Sequence, residues 1–137
     1  MRAIISLGAA LLLAIGAAGC SSDTTTSAST TTSVTDTFSS ALAFRGSATR
    51  TFKMGTAGTV SIALTALGNG TQRVGLGVGI TATSAPCSLA QTVITAASST
   101  PQIVTTADAG TYCVQLYDTG TLTDDTAFTV TVQHPAP

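Results

Sequence analysis

The chain has 137 residues, enough for one domain plus appendages. Charged residues make up 8 % and the net charge is −1. Phosphate recognition needs clustered Lys and Arg, so no nucleic-acid partner is expected, and the near-neutral balance implies no strongly charged one. Glu is absent, Thr is abundant and aromatic residues make up 4 %, which predicts Thr-lined strands around an aliphatic core.

Arg2 is the only charge before Asp23, and residues 3–19 form an apolar and small-residue run broken only by Ser6. The run is slightly short of the roughly 20 residues that span a bilayer, and no basic stop-transfer cluster follows it. One positive charge, an apolar stretch and then small residues make a secretory signal segment. Its last residues, Ala17-Ala18-Gly19-Cys20, resemble the lipobox of bacterial lipoproteins, departing from it at Ala17, where an aliphatic residue such as Leu is usual. The resemblance implies that the Cys20 thiol takes a diacylglycerol and that cleavage after Gly19 leaves Cys20 as the acylated N-terminus. Ser21 rather than Asp after the Cys is similar to the outer-membrane address of Gram-negative lipoproteins.

Residues 21–33, "SSDTTTSASTTTS", have almost no apolar content and no periodicity, so they cannot bury a core. They read as a flexible tether, which over about 15 residues reaches roughly 50 Å when extended. The expected organisation is a signal peptide over 1–19, a tether over 20–34, a β-domain over 35–133 and a terminal tail over 134–137.

From Val34 onward, period-two patterning alternates with turn signals. Residues 37–44 place Phe38, Leu42 and Phe44 on one face, and residues 49–54 place Phe52 and Met54 on another. Residues 59–65 alternate cleanly, with Val60, Ile62 and Leu64 inward, before the turn Gly68-Asn69-Gly70. Residues 73–83 set Val74, Leu76, Val78 and Ile80 opposite Gly75, Gly77 and Gly79. Those glycines lack the spacing and following helix of a nucleotide loop, and their strict alternation points to a crowded or flat outer sheet face. Residues 88–94 and 102–106 are weaker strands. Residues 111–118 turn Tyr112, Val114 and Leu116 inward, and residues 126–133 do the same with Phe128, Val130 and Val132. About eight short strands and no helix predict an antiparallel β-sandwich, with one face of each strand apolar and the other polar or glycine-rich.

With Cys20 assigned to lipid, Cys87 and Cys113 form an even pair in an exported domain and read as a disulfide. Cys113 alternates with the inward Tyr112 and Val114, so the bridge is expected on the outer face, clamping the Cys87 segment to the sheet edge rather than crossing the core.

The run "ADAGTYCVQLYDTG" at 107–120, followed by "AFTVTVQ" at 127–133, resembles the bacterial pre-peptidase C-terminal domain, most sharply at Ala109-Gly110-Thr111-Tyr112. The resemblance extends over most of residues 35–133. It implies a jelly-roll-like sandwich of the kind attached to secreted peptidases and other exported proteins. The family often has Asp in the strand aligning with residues 73–80, where this chain has glycines. "DAGTYC" is also similar to the tyrosine-corner run of immunoglobulin domains, which makes an immunoglobulin-like sandwich the alternative. There, however, one residue separates the Tyr from the Cys.

No catalytic set emerges. Cysteine catalysis needs a nearby base, and the sole histidine, His134, sits in the terminal "QHPAP" run, where solvation is expected. Asp118, Asp124 and Asp125 form the only carboxylate cluster. They read as a polar hairpin loop, with calcium held through oxygen ligands as the alternative; no other cofactor is implied. Tyr117 is the one ring expected to face outward, a thin platform for carbohydrate. The functional expectation is therefore a non-catalytic protein, lipid-anchored to the bacterial outer membrane, periplasmic or surface-exposed, with a structural, adhesion or binding role. The alternatives are a polysaccharide- or envelope-protein-binding module, with or without calcium, and, behind it, a hydrolase.

Overall fold

The computed structural model describes residues 31–137. The signal segment, Cys20 and most of the tether lie outside the described residues. Eight strands follow in order: β1 (Ser33–Leu42), β2 (Ser47–Met54), β3 (Gly58–Leu67), β4 (Val74–Ile80), β5 (Ser88–Thr95), β6 (Ile103–Ala107), β7 (Gly110–Tyr117) and β8 (Thr126–Pro135). They form two antiparallel four-stranded sheets, ordered β1-β8-β3-β6 and β2-β7-β4-β5. The first strand pairs with the last, and only β4 and β5 are both consecutive and hydrogen-bonded. This is the jelly-roll form of the sandwich. Its order differs from the immunoglobulin alternative, in which the first strand lies beside the second.

The core fills the space between the inner faces. Leu42, Val60, Ile62, Leu64, Val130 and Val132 come from one sheet; Phe52, Met54, Val74, Leu76, Val114 and Leu116 come from the other. These are the alternate positions of each strand, as side chains that point to opposite faces require. The core is aliphatic apart from Phe52 and Phe128.

Several expectations change at strand ends. Phe44, expected inward, is 45 % exposed, because β1 stops at Leu42 and the chain turns through Ala43–Gly46. Ile80, also expected inward, is 55 % exposed where β4 runs out. The tether and the tail both yield residues to the sheet: Ser33 pairs with Pro135 and Val34 with His134. Beyond β8, Ala136 N–H donates to the Thr32 carbonyl at 2.8 Å, and Gly55 N–H donates to the Ala136 carbonyl at 2.9 Å. Residues 134–136 are thus stitched into the domain. His134 is 2 % exposed, contrary to the solvated position expected of it.

Candidate functional site

Four features of the domain bear on its chemistry: the cysteine pair with the glycine strand, the histidine, the acidic loop and the hollows of the surface.

Cys87 and Cys113 are joined, with Cα atoms 5.7 Å apart. Cys113 lies on β7 opposite Gly79 of β4, while Cys87 immediately precedes β5 on the far side of β4. The bridge therefore passes over the outer face of β4 at Gly79. A β-carbon at Gly79 would collide with the Ser88 carbonyl. The same logic runs along the strand. A β-carbon at Gly75 would strike the Tyr117 ring, and one at Gly77 would come within 2.9 Å of Leu89. Gly75, Gly77 and Gly79 form a slot filled by a ring, a leucine and a folded-over segment, which leaves β4 buried on both faces from Val74 to Gly79. Of the two faces expected, crowded or flat, the structure has the crowded one, and Tyr117 is spent in covering it.

His134 continues the inward row of Phe128, Val130 and Val132 along β8. Its ring centre lies 5.0 Å from that of Phe52. Nδ1 is 2.7 Å from the Pro135 carbonyl oxygen, and Nε2 is 3.2 Å from Asp36 Oδ2. Both ring nitrogens face acceptors, and a neutral imidazole has one N–H to donate to them. Phe52 also stacks on Tyr112 at 5.8 Å, and the Tyr112 hydroxyl donates to the Asp108 carbonyl at 2.9 Å. That bond is of the tyrosine-corner type, made here in a jelly roll.

The acidic loop joins β7 to β8. Asp118 Oδ1 accepts the backbone N–H groups of Gly120 at 2.8 Å, Thr121 at 3.0 Å and Leu122 at 3.2 Å. Its Oδ2 accepts the Arg45 N–H at 2.9 Å. Asp125 Oδ1 accepts the neighbouring Phe44 N–H at 2.9 Å, and Asp124 Oδ2 accepts the Thr123 hydroxyl at 3.1 Å. Two of the three carboxylates therefore hold the Ala43–Gly46 turn, in which Arg45 takes a φ of 56° and its guanidinium lies 5.0 Å from the centre of the Phe44 ring. Desolvation by its surroundings pushes the Asp118 carboxyl up; the N–H groups of Arg45, Leu122, Gly120 and Thr121 together outweigh this and hold it below its ordinary value of 3.8. Among the described residues, no three His, Cys, Asp or Glu side chains converge as metal ligands.

Among the described residues, two of the surface hollows stand out. One of about 390 Å³ lies where β1 begins, lined by Thr31, Ser33, Gly58, Gln133 and Pro135 among others. The second, about 230 Å³, lies between the sheets on the β5/β6 side, with Phe52, Val60, Val78, Ile80, Ala107 and Tyr112 in its lining. It is the more apolar of the two, and sequence reasoning missed it. The alternation puts Ile80, an exposed residue of its lining, in the core, and no signal in the sequence marks where the two sheets part.

No family model matches the chain. No curated protein matches it either.

Proposed function

We propose that this is a non-catalytic β-sandwich protein of the bacterial cell envelope, carried on a lipid at Cys20, with a structural, adhesion or binding role. The observation that carries the reading is the sequence Ala17-Ala18-Gly19-Cys20-Ser21 between an apolar run and a Ser/Thr tract. Several acyl chains hold a protein stably at a membrane, whereas one gives marginal binding. The non-catalytic part is supported by the side chains an enzyme would need. His134 is engaged at both nitrogens, Cys87 and Cys113 are bonded, and Asp118 is saturated by backbone amides. The resemblance to the pre-peptidase C-terminal domain supports an exported setting and agrees with the jelly-roll order.

Fractionation of cells expressing the wild type and Cys20→Ser tests the anchor. The wild type is expected in the outer-membrane fraction and the variant in the soluble fraction. Equal partition of the two into membranes would overturn it.

The binding role has one specific observation in its favour, the apolar hollow beside Ile80 between the sheets. Its lining suits an apolar segment of an envelope protein better than a polysaccharide, since Tyr117, the ring expected to face a sugar, lies over Gly75.

A further inference from the structure

Two apolar features stand at opposite ends of the sandwich. The first is the β1–β2 turn. Phe44 is the one aromatic ring among the large exposed apolar residues. Its backbone is held fast. Asp125 Oδ1 accepts the Phe44 N–H, Asp118 Oδ2 accepts the Arg45 N–H, and the Gly46 N–H donates to the Ala43 carbonyl at 2.8 Å. Arg45 keeps its left-handed φ of 56°, which Gly or Asn adopts more easily. A turn selected for stability alone would carry a glycine at Arg45 and a polar residue at Phe44. Two carboxylates instead fix a ring and a guanidinium side by side at an exposed tip. Strain kept at such a place is a pointer to function.

The second is the apolar hollow of about 230 Å³ between the sheets. Its lining includes the stacked rings of Phe52 and Tyr112. A cavity of about 150 Å³ holds one benzene ring, and pockets for larger ligands start at about 300 Å³, so this hollow suits a single ring. Aromatic neighbours favour another ring, packed offset or edge to face. Asp108 borders the hollow: β6 ends in the lining at Ala107, and the Asp108 carbonyl accepts the hydroxyl of Tyr112. Lys53, next to Phe52 in the chain, alternates to the outer face of its sheet. Among the described residues, neither the exposed Asp108 nor Arg45 has an ion-pair partner. The strand register sets turn and hollow apart. Ser47, beside the turn, pairs with Tyr117 at one end of β7, whereas Phe52 and Ile80 pair with Tyr112 near the other. From Ser47 to Phe52 the chain advances about 17 Å, so Phe44 cannot reach the hollow of its own domain.

We infer that the chain associates head to tail, with Phe44 of one copy seated in the apolar hollow of the next and Arg45 against its Asp108. The inference rests on the reading of the hollow as a binding site and names a second copy of this chain as the envelope protein that fills it; it does not use the lipid. Three matches select this occupant. An exposed ring meets a ring-sized hollow, a cation meets the carboxylate that borders it, and the two halves lie at opposite ends of one molecule. A contact between two different surfaces leaves a free knob and a free socket on every pair, so it closes into a ring or runs on as a filament and does not stop at two.

The test uses the full chain, extracted from membranes in detergent, with sedimentation as the readout. The wild type is expected to form species larger than a dimer. Phe44→Ser removes the knob and is expected to weaken self-association about thirtyfold or more, the loss of one buried anchor. Ala90→Lys, at an exposed position of the lining, blocks the socket and is expected to weaken it as much. Asp108→Lys is expected to weaken it about fivefold. Ile94→Lys, an exposed apolar residue outside both surfaces, is expected to change nothing. Thermal melts taken alongside show which variants are folded; should Ala90→Lys fail to fold, Thr105→Lys in the same lining replaces it. The decisive sample is Phe44→Ser mixed with Ala90→Lys. Each brings one intact half, and the mixture is expected to give a one-to-one dimer that grows no further. A monomeric wild type, undiminished association of Phe44→Ser, or a mixture that stays monomeric would each overturn the proposal. Formaldehyde cross-linking in intact cells separates its failure from that of the hollow as a site. The expected adduct has twice the chain mass and is lost in Ala90→Lys. An Ala90-dependent adduct with a different protein overturns the second copy as occupant and keeps the site, whereas no Ala90-dependent adduct overturns both.

Discussion

The two sides of the sandwich are built on different chemistry. The β1/β2 side and the loops above it hold most of the domain's charges, and they have local work. Asp118 and Asp125 bind the amides of the β1–β2 turn, Asp36 meets His134, and Arg45 lies over Phe44. The β4–β5–β6 side has no charge, and is held instead by a covalent bridge and by side chains packed onto a strand of glycines. With so few charged residues, the chain places them where a turn or an edge needs one. Where it has none, it relies on packing and the disulfide.

The comparison is broken most severely by removing the bridge. Cys87→Ala with Cys113→Ala is expected to cost about 3–4 kcal/mol, the loop-closure value for a separation of 26 residues, read from chemical unfolding. If the uncharged side were held by ordinary packing alone, the loss would be far smaller.

Next come the glycines. Gly79→Ala pushes a β-carbon into backbone pinned by the bridge and is expected to cost about 2–3 kcal/mol, whereas Gly77→Ala meets side chains alone, the movable end of Leu89 and the Thr92 methyl, and should cost about 1 kcal/mol. Equal costs would mean that the segment over Gly79 is free to shift.

The smallest effect is on the charged side. Asp118→Asn keeps the shape but replaces one acceptor oxygen with a donor facing the Arg45 N–H. Because the folded carboxyl is held below 3.8, its contribution is fully present above that value and is lost as pH falls through the lower folded value. The difference in urea midpoint between wild type and Asp118→Asn is therefore expected to hold from neutral pH to about pH 5 and to shrink in acid. A difference that grows on acidification would contradict this origin.

Strands were legible wherever an apolar row runs without interruption. Val60-x-Ile62-x-Leu64 and Phe128-x-Val130-x-Val132 show their period directly, and the glycine alternation at 75–79 marks a face that is crowded or flat, though not what lies on it. Legibility failed at the ends. Nothing in the pattern separates a Phe that ends a strand from one that enters a turn, so Phe44 was placed in the core. His134 is polar and follows a polar residue, so the sequence pattern ends the inward row at Val132. It extends to His134 because Asp36, 98 residues away in sequence, supplies an acceptor that only the β1–β8 pairing brings near. The acidic loop was seen as a cluster, but its turn-holding role depends on the β1–β2 turn, whose position relative to β7–β8 is a matter of sheet order and not of local sequence.

The central claim, that Cys20 is the lipid-bearing N-terminus, is met most directly by intact mass spectrometry of the protein from the membrane fraction. The account predicts a chain that begins at Cys20 and carries added acyl mass. A mature chain that begins at Ser21, or one that begins at Cys20 without acyl mass, would contradict it.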